Sequence, residues 1–222
     1  MIAFNNTVFN LSSDGRRKLS ATFRLERGDF AVLLGLNGAG KTTLLDAMAG
    51  IRHAAEGKVE VAPANSPIAY AVQDSASGLF PWKSVLSNIL FPAAMTKKDD
   101  LETKGKALLL LEEFRLAERR DDFPYRLSEG EKQIINVIRC TCTPASVVLL
   151  DEPFAALNSH ARVKAKALLA EFAKDRTTVL VTHDPADCDL PLNRFLLISN
   201  SVVKEVDSKT AREFLSNVVS KT

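Results

Sequence analysis

The sequence lacks the long apolar runs that a membrane-spanning helix needs. Its longest apolar stretches, such as residues 30–34 and 147–150, fall far short of the roughly 20 residues that cross a bilayer. The first residues also lack the basic region and apolar core of a secretion signal. We therefore expect a cytoplasmic protein that reaches a membrane through a partner.

Neither a charge of one sign nor a cysteine framework is present. The chain has 29 Lys and Arg against 27 Asp and Glu, a formal net charge of +2. Such a small charge gives no field for nucleic acid, so we expect no nucleic-acid partner. The three cysteines form no CxxC pair and are expected to be small buried or half-buried thiols rather than metal or redox groups.

What the sequence does contain is an alternation of short apolar runs with helical patterns. The strand-like runs are residues 19–25, 30–34, 58–61, 68–72, 147–150, 178–181 and 195–198. The helical patterns are residues 41–49, 101–114, 131–139, 161–174 and 209–219. This order predicts an α/β fold with a mostly parallel sheet covered on both faces.

Two regions depart from that alternation. Several of the first strands follow one another too closely for helices, which predicts an antiparallel β portion in the N-terminal third. Residues 75–143 are helix-rich without a convincing strand, which predicts an inserted helical subdomain. We expect a single domain over residues 1–222, with the α/β core at about 1–74 and 144–222.

A phosphate-binding motif follows the second predicted strand. The sequence GLNGAGKT, beginning at Gly35, matches GxxxxGK[ST], in which glycines let backbone N–H groups point at phosphate oxygens. Lys41 would place its charge on the β- and γ-phosphates, and the Thr42 hydroxyl would ligate Mg²⁺. Residues 30–34 before the motif and the helix after it are the context of a P-loop NTPase. The residues expected to bind the nucleotide here are Gly35, Asn37, Gly38, Ala39, Gly40, Lys41, Thr42 and Thr43.

Two acids follow the apolar run at residues 147–150. A buried strand delivers Asp151 and Glu152 to its carboxyl end, where ligands bind in open α/β sheets. Asp151 is expected to hold Mg²⁺. Glu152 is expected to orient and polarise the attacking water, because phosphoryl transfer depends mostly on positioning and charge neutralisation.

The sequence LSEGEKQ at residues 127–133 resembles the LSGGQ signature of ABC ATPases. Ser128 and Glu131 also fit a capping box at the start of a helix, and the two interpretations are compatible. The resemblance implies that Ser128 and the Gly130 amide meet the γ-phosphate of ATP held by a second chain. It therefore implies a homodimer or a pseudo-homodimer with another ABC ATPase.

Other residues resemble the remaining elements of that family in the same order. Gln73 resembles the Q-loop glutamine, which touches Mg²⁺ and links the core to the helical lobe. Residues 156–158 resemble the D-loop, and His183 resembles the switch histidine that contacts the γ-phosphate. With the family resemblance, the expected catalytic residues are Glu152, His183 and Lys41.

Residues 78–89 resemble one group within that family. The sequence GLFPWKSVLSNI is similar to the segment with which importer ATPases of the nitrate, taurine and sulfonate type accept a helix of the membrane subunit. From the residues alone, this aromatic cluster is either lobe core or a docking surface. The resemblance implies integral membrane partners bound between Gln73 and Ile89, on the inner face of the cell membrane.

The resemblance implies an ATP-binding and ATP-hydrolysing subunit of a membrane transporter, and residues 78–89 favour import over export. ATP and Mg²⁺ are the implied ligands, and ATP-dependent dimer closure is the implied mechanism. Three alternatives stay open: an exporter or lipoprotein-release ATPase, a soluble ABC protein without a transporter, and a module that holds ATP without turnover.

Several positions depart from the family pattern. Glu129 and Glu131 place two acids in the signature, Ile134 replaces a frequent arginine, and Asn158 replaces the D-loop aspartate. Like charge near a phosphate site should weaken closure unless these carboxylates pair with basic neighbours. The aromatic residue that usually stacks on adenine is also missing, and either a shifted Phe9 or an aliphatic contact from Leu11 would replace it. We therefore expect an active ATPase that is slow or depends strongly on its partners.

Overall fold

The computed structural model describes residues 1–63, 66–96 and 101–219, which form a nine-stranded sheet with helices on both faces. The strands are β1 Ile2–Asn10, β2 Lys18–Leu25, β3 Phe30–Leu34, β4 Glu56–Val61, β5 Ile68–Ala71, β6 Val147–Asp151, β7 Thr177–Val181, β8 Arg194–Ser199 and β9 Val202–Glu205. The helices are α1 Lys41–Met48, α2 Val85–Met95, α3 Leu101–Glu113, α4 Glu129–Cys142, α5 Ser159–Ala173 and α6 Ser208–Val219. Short 3₁₀ turns lie at Ala117–Arg119, Pro124–Arg126 and Pro185–Asp189. The strand order across the sheet is β4-β1-β2-β9-β8-β3-β7-β6-β5.

The parallel half of the sheet contains β5, β6, β7, β3 and β8. Its central strands are buried on both faces, which is why they read as continuous apolar runs rather than alternating ones. In β6, Val147 and Leu149 join the core formed with α1, whereas Val148 and Leu150 join the core formed with α4. Successive side chains of a strand point to opposite faces, so one apolar strand packs helices on both sides. The mostly parallel α/β sheet predicted from the sequence is confirmed.

The antiparallel portion is also confirmed, and it contains a strand that the sequence analysis missed. Strand β1 pairs antiparallel with both β2 and β4. Its register shifts between Phe4 and Thr7, where Asn6 adopts a φ of 47°. This bulge interrupts the apolar pattern, which explains why residues 2–10 did not read as a strand.

The helices between β5 and β6 form the inserted lobe. Helices α2, α3 and α4 pack against one another and bury Val85, Ile89, Leu111 and Ile135 in the same core as Val148. Among the described residues between β5 and β6, no strand occurs. The lobe therefore continues the core on one face of the sheet and places the start of α4 beside the loop that follows β6.

Candidate nucleotide site

The loop between β3 and α1 is shaped by glycine. Gly40 is the N-cap of α1 with a φ of 107°, and a Cβ there would lie 2.7 Å from the Leu19 side chain. No side chain caps this helix and no acidic residue stands in its first turn. The helix N-terminus is therefore open to an anion, with free N–H groups and the positive end of the helix dipole.

Lys41 lies folded over this loop. Its ammonium donates hydrogen bonds to the carbonyls of Gly35 at 2.9 Å and Leu36 at 3.2 Å. Burial lowers the pKa of Lys41, while the charges of Glu152 and Asp151 act in the opposite direction. A buried ammonium that carbonyl dipoles hold in place is pre-positioned for the oxygens of a phosphate chain.

Thr42 and Asp151 bring the two motifs together. The Thr42 hydroxyl donates to Asp151 Oδ2 at 2.9 Å, across the 109 residues that separate them. Asp151 is 3% exposed, and burial raises the pKa of its carboxyl, with the nearby Glu152 adding to the effect and Thr42 opposing it.

This pair fits a magnesium ion. Mg²⁺ prefers oxygen ligands, commonly one or two carboxylates beside a hydroxyl and phosphate oxygens, and the side-chain oxygens of Thr42 and Asp151 already meet. A divalent cation would also offset the burial that disfavours the Asp151 carboxylate. Gln73 lines the same cavity, and its side-chain amide carries an oxygen of the type that could be a further ligand.

Glu152 and His183 lie together at the carboxyl ends of β6 and β7. His183 Nε2 is 3.2 Å from Glu152 Oε1, and Glu152 adopts a φ of 50°. Burial and the charge of Lys41 lower the pKa of His183, against the pull of Glu152. A neutral imidazole has one N–H, so His183 can donate either to the Glu152 carboxylate or to a phosphate oxygen, one at a time.

These groups surround one cavity of about 500 Å³, a size that suits a small ligand such as a nucleotide. Its lining residues are Leu11, Arg17, Asn37, Gly38, Gly40, Lys41, Thr42, Thr43, Gln73, Asp151, Glu152 and His183. Most of the residues proposed from the sequence thus converge. Gly35 and Ala39 are not among the lining residues, and Gly35 instead contributes its carbonyl to Lys41.

Ser128 and Gly130 lie apart from this cavity. They line a second cavity of about 630 Å³ together with Asn158. Ser128 caps α4 in the capping box expected from the sequence, with Glu131 accepting hydrogen bonds from both the Ser128 amide and its hydroxyl at 2.8 Å. At Gly130, a Cβ would lie 2.9 Å from the Ala156 carbonyl, so glycine lets α4 approach the loop after β6.

Gln133 is a site residue that the sequence analysis missed. Its side-chain amide donates to the Glu152 carbonyl at 2.8 Å, and its amide oxygen accepts from Ala156 N at 2.7 Å. This buried side chain therefore fixes the loop that carries Glu152 to helix α4. Gln133 ends the LSEGEKQ motif, but the motif does not reveal its role, because both partners lie about 20 residues further along the chain.

Residues 78–89, which the sequence left open as either lobe core or a docking surface, contain side chains of both kinds. Leu79, Val85 and Ile89 are buried in the lobe core, whereas Trp82 is 71% exposed. Phe80 packs between the rings of Trp82 and Phe91, at centroid distances of 5.6 and 4.7 Å. The segment thus has a buried side and an exposed aromatic edge.

No helix among the residues that the structure describes is long and apolar enough to span a membrane.

The P-loop before α1 and the acids at the carboxyl end of β6, on a mostly parallel sheet, define a P-loop nucleotide-binding protein. The family model described as "ABC transporter" matches residues 19–155, more than half of the chain. The chain therefore belongs to the ABC transporter family, and it is an ATP-binding ATPase of that family.

Relatives and solved structures agree with this assignment. The aliphatic sulfonates import ATP-binding protein SsuB of Mycobacterium sp. (strain MCS) is 36% identical over 178 residues, covering 79% of this chain and 71% of that protein. The spermidine/putrescine import ATP-binding protein PotA of Chromobacterium violaceum is 32% identical over 194 residues, covering 83% and 53%. The structure of an ATP-binding subunit of an ABC transporter superimposes with a TM-score of 0.84 at 22% identity, covering 97% of this chain and 93% of that one. This likeness confirms the fold.

Proposed function

We propose that this chain is the ATP-hydrolysing subunit of an ABC importer, placed on the inner face of the cell membrane by integral membrane subunits. The import proteins among its relatives support the direction of transport. The exposed Trp82 edge of the region between Gln73 and Ile89 supports a docking site there. Residues 1–74 and 144–222 would act as the ATPase core, and residues 75–143 as the helical subdomain that meets the membrane subunits.

The cavity residues take the roles that their chemistry suits. The P-loop amides and the Lys41 ammonium bind the phosphate chain of ATP. Thr42, Gln73 and Asp151 would hold Mg²⁺, which, when bound, neutralises charge on the β- and γ-phosphates. Gln133 keeps the loop carrying Glu152 in register with α4.

The contact between Glu152 and His183 is the observation that carries the catalytic proposal. Glu152 accepts a hydrogen bond from the attacking water and orients it toward the γ-phosphorus of ATP. The single N–H of neutral His183 would hold the Glu152 carboxylate in the empty site and donate to a γ-phosphate oxygen once ATP is bound. The water forms a bond to phosphorus as the bond to the β–γ bridging oxygen breaks, which releases ADP and phosphate.

Ser128 and Gly130 suggest a site shared between chains. They line a different cavity from Lys41 and Glu152, so a second chain would bring its own Ser128 to the γ-phosphate. Two chains, either identical or similar, would then close around two ATP molecules. ATP binding would drive closure and hydrolysis would reverse it.

The test compares ATP turnover of the wild type and Glu152→Gln, each purified with its membrane subunits. We expect a loss of about 100-fold or more, the range for removal of a general base. Glu171→Gln is the matched control, since Glu171 is an exposed carboxylate on α5 that pairs with Lys174. Equal turnover in Glu152→Gln and the wild type would remove Glu152 from the mechanism. Failure to recover any integral membrane protein with the wild type would contradict the transporter assignment.

A further inference from the structure

The cavity beside the P-loop is lined by two chemically different groups of side chains. One group is the carboxylates of Asp151 and Glu152. The other is Leu11 and Arg17, from the loop between β1 and β2, which lie against the P-loop glycines: Leu11 would come within about 3 Å of a Cβ at Gly40, and Arg17 donates to the Gly38 carbonyl. Under the proposed function, hydrolysis takes place beside the carboxylates, so the base of a bound nucleotide would lie on the side of Leu11 and Arg17.

No Phe, Tyr or Trp lines this cavity among the described residues. Phe9, the nearest aromatic residue in the β1–β2 hairpin, is 0% exposed and packs on Phe4 with ring centroids 6.1 Å apart. Its ring belongs to the core and does not face the cavity. The base must be contacted by a different kind of side chain.

Arg17 is held at the rim of the cavity with its charge uncompensated. Its Nη2 donates to the Gly38 carbonyl at 2.7 Å, and its own carbonyl accepts from Leu11 N at 2.7 Å. The neighbouring Arg16 pairs with Asp14 at 3.3 Å, whereas Arg17 forms no ion pair within the described part of the chain. Arg17 is thus tied to the phosphate-binding loop yet keeps a guanidinium that no carboxylate occupies.

We propose that Arg17, with Leu11 beside it, makes the nucleobase contact of this ATPase. A guanidinium is planar and delocalised, and it stacks on aromatic faces. Arginine contributes to base binding in this way in other nucleotide-binding proteins. Leu11 adds apolar surface at the same end, and the bond from Arg17 to Gly38 aligns the base contact with the phosphate cradle. This assignment rests on the proposed nucleotide site and adds a residue that recognises the base.

The experiment separates base binding from phosphate binding. The isolated chain is titrated by calorimetry with magnesium ATP and with magnesium tripolyphosphate, which carries the phosphates without a base. Arg17→Ala should lower the ratio of ATP affinity to tripolyphosphate affinity by about 2- to 5-fold, the range for a cation–π contact at an exposed site. Arg17→Tyr supplies an aromatic face and should restore that ratio. Arg16→Ala removes an equal charge from the same loop and should leave the ratio unchanged.

Each alternative outcome is distinguishable. An unchanged ratio in Arg17→Ala, with ATP still bound, overturns the base contact and leaves the nucleotide site intact. If Arg17→Ala and Arg17→Tyr each lose affinity for ATP and for tripolyphosphate by the same factor, Arg17 supports only the phosphate-binding loop. That result also overturns the base contact. A wild-type chain that binds neither ligand contradicts the proposed function itself. Melting temperatures of the variants report whether each one is folded.

Discussion

At the scale of single residues, the Glu131 side chain already takes the two hydrogen bonds that Ser128 would donate to a phosphate. Its carboxylate accepts from both the amide and the hydroxyl of Ser128, while its other oxygen lies 3.7 Å from Arg119 Nε. A phosphate brought by a second chain must displace this carboxylate and approach its charge. Glu131→Gln keeps an acceptor for the Ser128 amide but removes the charge, so closure should need less ATP.

The expected change is roughly fivefold, about 1 kcal/mol for one charge near another in a hydrated site. It is measured by light scattering of the dimer against ATP concentration, in a Glu152→Gln background that prevents turnover. Glu129→Gln is the control, because Glu129 accepts from the Ser75 hydroxyl and lies 3.5 Å from Lys132 rather than on Ser128. Equal shifts in both variants would show a general charge effect and no particular role for Glu131.

Asp151 should lower the stability of the empty protein in a pH-dependent way. Burial raises the pKa of its carboxyl, so the folded chain binds more protons here than the unfolded chain does. The contribution of Asp151 to the free energy of unfolding therefore falls as pH rises above about 4. Asp151→Asn keeps an acceptor for Thr42 and should raise Tm by about 2 °C at pH 7.5, with a smaller gain at pH 5.

Scanning fluorimetry measures Tm for both proteins, first without ligand and then with magnesium ATP. Ligand binding should raise the Tm of the wild type and have little effect on Asp151→Asn. Asp14→Asn, on the exposed β1–β2 loop, is the control for loss of an acid. A variant that melts at or below the wild-type temperature at pH 7.5 would contradict the assigned cost of burying Asp151.

At the scale of elements, the strands that the sequence predicted best are those buried on both faces, because their apolar residues form continuous runs. The apolar runs of β3, β6 and β7 were located to within a residue or two, since these strands have neighbours on both sides. Helix α2 was missed because Pro92 interrupts its pattern. Strand β9 was missed because it has four residues and follows a tight turn at Asn200 and Ser201, both with positive φ.

In the candidate site, residues that form a contiguous motif were predicted from the sequence, whereas residues that act through distant partners were not. Its phosphate-binding residues form a contiguous motif, so the order of residue types alone located Lys41 and Thr42. Gln133 and Arg17 act through partners about 20 residues away in sequence, and such contacts leave no local pattern. Phe9 failed as the base contact because strand pairing turns its ring into the core.

The exposed aromatic edge of the lobe can be tested as an element. Trp82→Ala should leave ATP binding unchanged and reduce recovery of the membrane subunits about fivefold or more, because exposed aromatic residues often dominate interfaces. Tyr125→Ala is a matched control, since Tyr125 has the same 71% exposure on the same lobe but lies outside the segment. Recovery is measured by quantitative mass spectrometry after mild detergent extraction. Equal losses in the two variants would remove the docking role from Trp82.

At the scale of the whole molecule, the residues proposed to form one site line two separate cavities. Lys41 and Glu152 line the cavity beside the P-loop, whereas Ser128 lines the cavity at the start of α4. If one chain supplies the first set and its partner supplies the second, variants in the two sets should complement each other. Ser128→Glu suits a helix N-terminus but repels phosphate, and Glu152→Gln removes the proposed base.

Each of these two variants should be inactive as a homodimer, yet a mixed dimer holds one site with wild-type Glu152 and wild-type Ser128. Random pairing of equal amounts should restore about a quarter of the wild-type turnover, since half of the dimers are mixed and each has one intact site of two. Mixing Lys41→Ala with Glu152→Gln is the control. Both residues belong to the same cavity, so every site in that mixture lacks one of them and no activity should return. Recovery in the control, or none with Ser128→Glu, would show that the site is not divided between chains in this way.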